Sequence, residues 1–238
     1  MAVSPLANGL PHTPALIGNS SSALIFIAAE EAGFPLNGAP FALGPQPPFN
    51  ADITEFHPEI LQLLKQGAVF SIVNTGARDL LTLIQHPQPF DFILPDRPDL
   101  PLDPNAQLIS FYAMRDAFKR HLNKDFGILT LAKSCAAGKV IHIISQPPLE
   151  SEEIILTYAP WQLKESDRIS SPWLRLKAYL LCTSLLIEFC KENGIEIIYP
   201  PAIAIDDKGF LKTDYYSNAT HANVAYGRLV LEKMKEWV

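Results

Sequence analysis

Short apolar runs alternate with longer helix-like stretches along almost the whole chain, and this order constrains the fold more than any other feature. A strand, a helix and a second strand in succession bring the chain back in parallel, so the repeat predicts a parallel sheet with crossover helices on its faces. Strands are expected at 15–17, 40–43, 69–73, 140–144 and 195–199, all with few polar interruptions, as central strands buried on both sides require. Helices are expected at 21–32, 58–65, 109–136, 172–193 and 222–237. The second has Pro58 in its first turn and Gly67 just beyond its end, and the fourth closes on "KENG", where Gly194 can take the left-handed cap conformation. Two proline-rich segments, 86–107 and 145–172, break the alternation and read as long loops over the carboxyl edge of the sheet, where open α/β folds bind ligands.

With 238 residues, 48% of them hydrophobic and 18% charged, the chain suits one α/β domain over 1–238 with a large core. A net charge of −6, with Lys and Arg scattered, leaves no basic footprint for nucleic acid. Cys135, Cys182 and Cys190 form no CxxC pair, and an odd count with two of them on one apolar helix fits reduced thiols and hence a cytoplasmic protein. The start "MAVSPLANGLPHTP" has no basic region leading into an apolar run, and no stretch reaches the roughly 18 apolar residues of a membrane span. The expectation is a protein without nucleic-acid or membrane partners.

The chemistry gathers at the two ends. "PALIGNSSSALIFIAAEEAG" (14–33) begins as a buried strand, breaks at Gly18-Asn19-Ser20 and resumes as a helix. A serine at such a turn has backbone N–H groups pointing outward at the positive end of the helix dipole, a ready anion site. If a base takes the hydroxyl proton, the same N–H groups can hold an oxyanion. The plainer reading of "GNSSS" is that Ser20, Ser21 or Ser22 caps the helix. At the other end, "TDYYSNATHANVAYG" sets His221 in a polar turn before the last helix and after the last strand, which brings it to the same sheet edge as Ser20. Alone, it could equally be a surface residue near a helix start.

Together, "LIGNS" and "NATHANVAYG" resemble the first and last sequence blocks of the SGNH (GDSL-type) hydrolase superfamily, and "HPQPFDFILP" after the third strand is similar to a stretch in a divergent bacterial subgroup of it. The resemblance spans strand order, both ends and general length. It implies a flavodoxin-like three-layer α/β/α sandwich with a mainly parallel five-stranded sheet. It further implies a serine nucleophile at Ser20, a histidine base at His221, and oxyanion donors from the serine amide, a glycine and an asparagine. Asn218 stands where the family has the aspartate that orients the histidine, and an amide can accept the ring's hydrogen bond but adds no charge to stabilise imidazolium. Asp214 is a nearby substitute. Asn19 replaces the usual aspartate of the first block. Asn74 and Gly76 in "VNTGARD" reverse the family's glycine–asparagine order, and Gly44 in "FALGP" is the candidate for the remaining oxyanion glycine.

Other constellations read as structural. His142 in "KVIHIISQPP" alternates with apolar residues in a strand, as a hydrogen-bonded core residue would. "DRPDLPLD" and "ESEEI" read as solvated acids, with no histidine or cysteine at metal-ligand spacing, and "GKV" lacks the glycine lead of a phosphate loop. The expected function is a serine-dependent hydrolase or acyltransferase with no cofactor and no metal, acting on an ester, thioester or acetyl group of a small molecule. The competing expectations are a binding or scaffold protein that keeps the fold, and a non-hydrolytic biosynthetic enzyme built on the same pocket.

Overall fold

The computed structural model describes residues 13–40, 48–73, 82–158, 168–218 and 220–238. Its strands are β1 (Ala15–Gly18), β2 (Asn37–Pro40), β3 (Val69–Ile72), β4 (Phe90–Asp91), β5 (Gln107–Leu108), β6 (Val140–Ile143) and β7 (Glu196–Ile198). Its helices are α1 (Ala23–Glu31), α2 (Pro58–Leu64), α3 (Phe111–Cys135), α4 (Glu152–Tyr158), α5 (Pro172–Glu192) and α6 (Val224–Lys235).

Five strands form one sheet in the order β2-β1-β3-β6-β7, and every neighbouring pair is parallel. This is the flavodoxin-like winding, in which the strand order reverses between β1 and β3 and opens a crevice at their carboxyl ends. Period-two alternation decides which side chain goes where. Ala15, Ile17, Val69 and Val140 face a core shared with α2, α3 and α5, whereas Leu16, Phe70, Ile141 and Ile143 face α1 and α6. The result is the α/β/α sandwich expected from the sequence.

Two expectations are corrected. The strand placed at 40–43 is Asn37–Pro40, whose Asn37 pairs with Ala15; residues 41–43 lie outside the described residues. Asn, Gly and Pro are poor strand formers, so "NGAP" carries no strand signal of its own and pairs because β1 offers an edge. The two long segments are also more than loops over the site. In 86–107, β4 and β5 pair, and Phe92, Leu94 and Leu100 bury themselves with α3 and α5, on the sheet face opposite α6. Asp91 pins this strap from inside: its carboxylate pairs with Lys177 of α5, Oδ1 accepts from Phe92 N at 2.7 Å and Oδ2 from Asp103 N at 3.0 Å, while Lys177 Nζ also donates to Pro101 O at 3.1 Å. In 145–172, Ser151 Oγ accepts from Ile154 N, and Glu152 and Glu153 fill the first turn of α4.

On the other face α1 and α6 lie close along their lengths. Gly227 sets the separation, because a Cβ there would stand 2.5 Å from the Leu24 carbonyl oxygen. Gly227→Ala is therefore expected to force the helices apart, cost about 1–3 kcal/mol and lower the melting temperature by several degrees in a thermal melt.

His142 lies wholly inside the other core, its Nδ1 3.1 Å from Ser71 Oγ and its Nε2 without a partner among the described residues. Burial pulls its pKa down to about 4. The unfolded chain, with an ordinary histidine near pH 6.5, takes up the proton first as the pH falls. The stability this residue contributes is thus complete above about pH 6.5 and lost progressively toward pH 4. Urea unfolding between pH 7.5 and 4.5 should show a loss on the order of 3 kcal/mol, most of which His142→Gln should remove.

Candidate active site

The site is assembled from the starts of α1 and α6. β1 ends at Gly18, where a Cβ would meet Ile72 Cγ2 at 2.4 Å, so only a glycine lets the chain turn here against β3. Asn19 makes the last bond to the sheet, its N–H donating to Ile72 O at 3.3 Å. It is also the cap. Its Oδ1 accepts from Ser21 N at 3.0 Å, and its carbonyl accepts from Ser22 N at 3.0 Å and from Ser22 Oγ at 2.7 Å. Asn19 thus caps the 3-10 turn Ser20–Ser22, while Ser22 stands at the N-cap position of α1 but makes no side-chain capping bond there, its hydroxyl turning back to Asn19 O. Ser20 opens a 3-10 turn leading into α1, and its own N–H meets no acceptor among the described residues.

The α6 end is a small closed hairpin. Tyr216 and Ala222 bridge antiparallel, and Ser217 N donates to His221 O at 2.9 Å. Asn223 then caps α6, accepting from Tyr226 N at 3.2 Å. Inside the turn, Asn218 Oδ1 accepts from Thr220 N and from His221 N, each at 3.1 Å. Backbone N–H groups can only donate, so the oxygen of this amide must face them. That same oxygen lies 2.9 Å from His221 Nδ1, which therefore carries its hydrogen; Thr220 Oγ1 lies 3.0 Å from Nδ1 as well. In the neutral ring Nε2 is then the unprotonated nitrogen. It lies 2.6 Å from Ser20 Oγ, which accordingly donates to it across 201 positions of sequence.

Asp214 does not join this group. It is exposed on the 3-10 turn Thr213–Tyr215, lines a separate hollow with Leu149, Glu150 and Lys212, and makes no hydrogen bond to His221. Its backbone carbonyl accepts from Asn223 Nδ2 instead. Gly44, Asn74 and Gly76 lie outside the described residues. Beside the imidazole is a narrow hollow walled by Leu83, Pro147, Pro148, Leu149 and Ile155. Among the described residues no disulfide joins Cys135, Cys182 or Cys190, and burial pushes the Cys190 thiol up to about 12. No helix of the described residues is long and apolar enough to cross a membrane, and they contain no cluster of metal-ligating side chains.

Sequence reading missed Gln146. Its side chain is buried and donates from Nε2 to Thr220 O at 2.7 Å, inside the histidine turn. The available signal was its place, three residues past the end of β6 at the carboxyl edge and directly before Pro147-Pro148.

No family model matches this chain, and no curated protein does. Among solved structures it is similar to a GDSL-like lipase from Bacteroides thetaiotaomicron, at 13% identity over 97% of this chain and 90% of the other, TM-score 0.48. It is similar to a carbohydrate acetylesterase from Sinorhizobium meliloti, at 9% identity over 95% of this chain and 100% of the other, TM-score 0.49. A third is the periplasmic domain of a lipopolysaccharide acetyltransferase from Salmonella ser. Paratyphi A, at 14% identity over 97% and 84%, TM-score 0.47. At such identities and scores these likenesses assign no activity, and the functional weight falls on the geometry of Ser20, His221 and Asn218.

In Asn218→Asp the carboxylate could accept the same three hydrogen bonds and add a charge beside the ring, favouring imidazolium. Esterase activity on a small activated ester is expected to rise by about tenfold or more, and the acid limb of its pH–rate profile to move to higher pH. Asp214→Asn should leave both unchanged. The reverse pattern in steady-state assays would make Asp214 the orienting residue.

Proposed function

We propose that the protein is a serine-dependent hydrolase or acyltransferase acting on an ester, thioester or acetyl group of a small molecule. The reading is carried by one observation: Ser20 Oγ lies 2.6 Å from an imidazole nitrogen whose partner nitrogen is held in the donor tautomer by Asn218. In the reaction this implies, the Ser20 hydroxyl proton moves to Nε2 as Oγ bonds to the acyl carbon, and the carbonyl π electrons pass to its oxygen. The Ser20 N–H is the donor positioned to receive that oxyanion. Collapse of the intermediate expels the leaving group, which takes the proton from Nε2 and leaves an acyl-Ser20 ester. Water, or the hydroxyl of an acceptor, then repeats the steps in reverse and frees the serine.

The amide at 218 orients the ring without a negative charge, so the base is weaker than with a carboxylate. That amide nonetheless makes a full set of contacts to ring and backbone, which supports a working pair over a decayed one. A scaffold would need neither the tautomer nor the short contact.

A fluorophosphonate probes this without knowledge of the substrate. Intact-mass spectrometry is expected to show one adduct, located at Ser20 by peptide mapping, and none on Ser20→Ala. His221→Ala should slow labelling by about 10³-fold or more. Folded wild-type protein that stays unlabelled after long exposure would refute the proposal.

A further inference from the structure

We propose that Gln146 is a positioning residue, holding the His221 turn at the height of Ser20; the inference rests on His221 being the base. The turn's shape comes from within. The 216–222 bridge and the Asn218 contacts are all local, so they fix how the imidazole sits on its hairpin but not where the hairpin sits relative to β1. Gln146 supplies that second relation, reaching 74 positions along the chain to the Thr220 carbonyl at 2.7 Å. A carbonyl oxygen only accepts, so the atom facing it is the amide nitrogen.

The anchor is itself rigid. Just before it, Ile144 N donates to Ile198 O at 3.0 Å, continuing the β6–β7 pairing, and the buried Tyr179 hydroxyl of α5 donates to Ser145 O at 3.1 Å. Just after it, Pro147 and Pro148 fix two φ angles. Gln146 is only 3% exposed. The position of the central sheet is thus passed through one amide to the residue next to the imidazole. Ser20 rides on the same sheet through Asn19 N and Ile72 O, so both partners share one frame. Small displacements matter here because proton transfer needs heavy atoms within hydrogen-bond reach, and a shift of about 1 Å can cost up to about 10²-fold in rate.

Gln146→Met keeps the length and volume of the side chain and removes the donor. Three readouts decide its role: hydrogen exchange of the 217–221 amides, steady-state kinetics on a short nitrophenyl ester, and the fluorophosphonate labelling rate. Exchange in the turn should accelerate while the β1 and β3 amides stay protected, which also shows that the variant is folded. kcat and the labelling rate should fall about tenfold or more, and by more than any change in KM, which the place of Gln146 in the wall of the hollow allows to shift. In a His221→Ala background the same substitution should change neither residual rate. Wild-type protein that labels at Ser20, with Gln146→Met labelling equally fast, overturns the positioning role alone, as does a loss that persists without the imidazole. Wild-type protein that takes no label overturns the catalytic reading on which the role rests.

Discussion

The site depends on the close approach of two helices. Ser20 leads into α1 and His221 stands just before α6, so packing α1 against α6 over their lengths brings the two turns together, and the 2.6 Å contact forms between turns set on that frame. Gly227 makes that packing possible, since any side chain there would strike the Leu24 backbone. Tyr226, Val230 and Leu231 then seal the interface with Leu24, Ile25 and Ala28. The burial that stabilises this layer and the geometry that sets Ser20 against His221 are therefore linked, and a change that loosens the first disturbs the second.

A second principle is the division between orientation and charge. In a serine–histidine–carboxylate group the acid both selects the ring tautomer and stabilises the imidazolium. Here Asn218 does only the first. Two backbone N–H groups hold its amide oxygen in place, and that oxygen draws the hydrogen to Nδ1. The acid nearest in sequence, Asp214, faces solvent with its carbonyl engaged by Asn223, so no negative side chain of the turn replaces the missing charge. Asn218 thus fixes the ring's orientation and leaves Nε2 facing Ser20.

The two inserted segments divide their roles in a similar way. The 86–107 strap turns its apolar residues into the core opposite α6 and is locked by Asp91 and Lys177, a buried pair whose separation would leave a charge uncompensated, at about 3–5 kcal/mol. The segment after β6 instead builds the hollow beside the imidazole from Pro147, Pro148, Leu149 and Ile155 and sends Gln146 to the histidine turn. One insertion stabilises the scaffold and the other shapes the site.

Much of this was legible in the chain itself. The alternation of apolar runs and amphipathic stretches determined a parallel sheet between helical layers, because strands buried on both faces must be apolar throughout and parallel neighbours must be joined by crossovers. The same reading set Ser20 and His221 at one sheet edge, since both follow strands. Local pattern could not say that "NGAP" forms an edge strand, because its pairing is imposed by β1. Nor could it show that the side-chain capping bond at this turn comes from Asn19 rather than from a serine, or that Asp214 turns away while Asn218 turns in. Gln146 was invisible for the same reason: its role is a hydrogen bond across 74 positions. Periodicity records which face of an element is buried, and so the layers could be read in advance. The direction of one amide or one carboxylate is settled by which donors surround it, and those are brought together only by the folded chain.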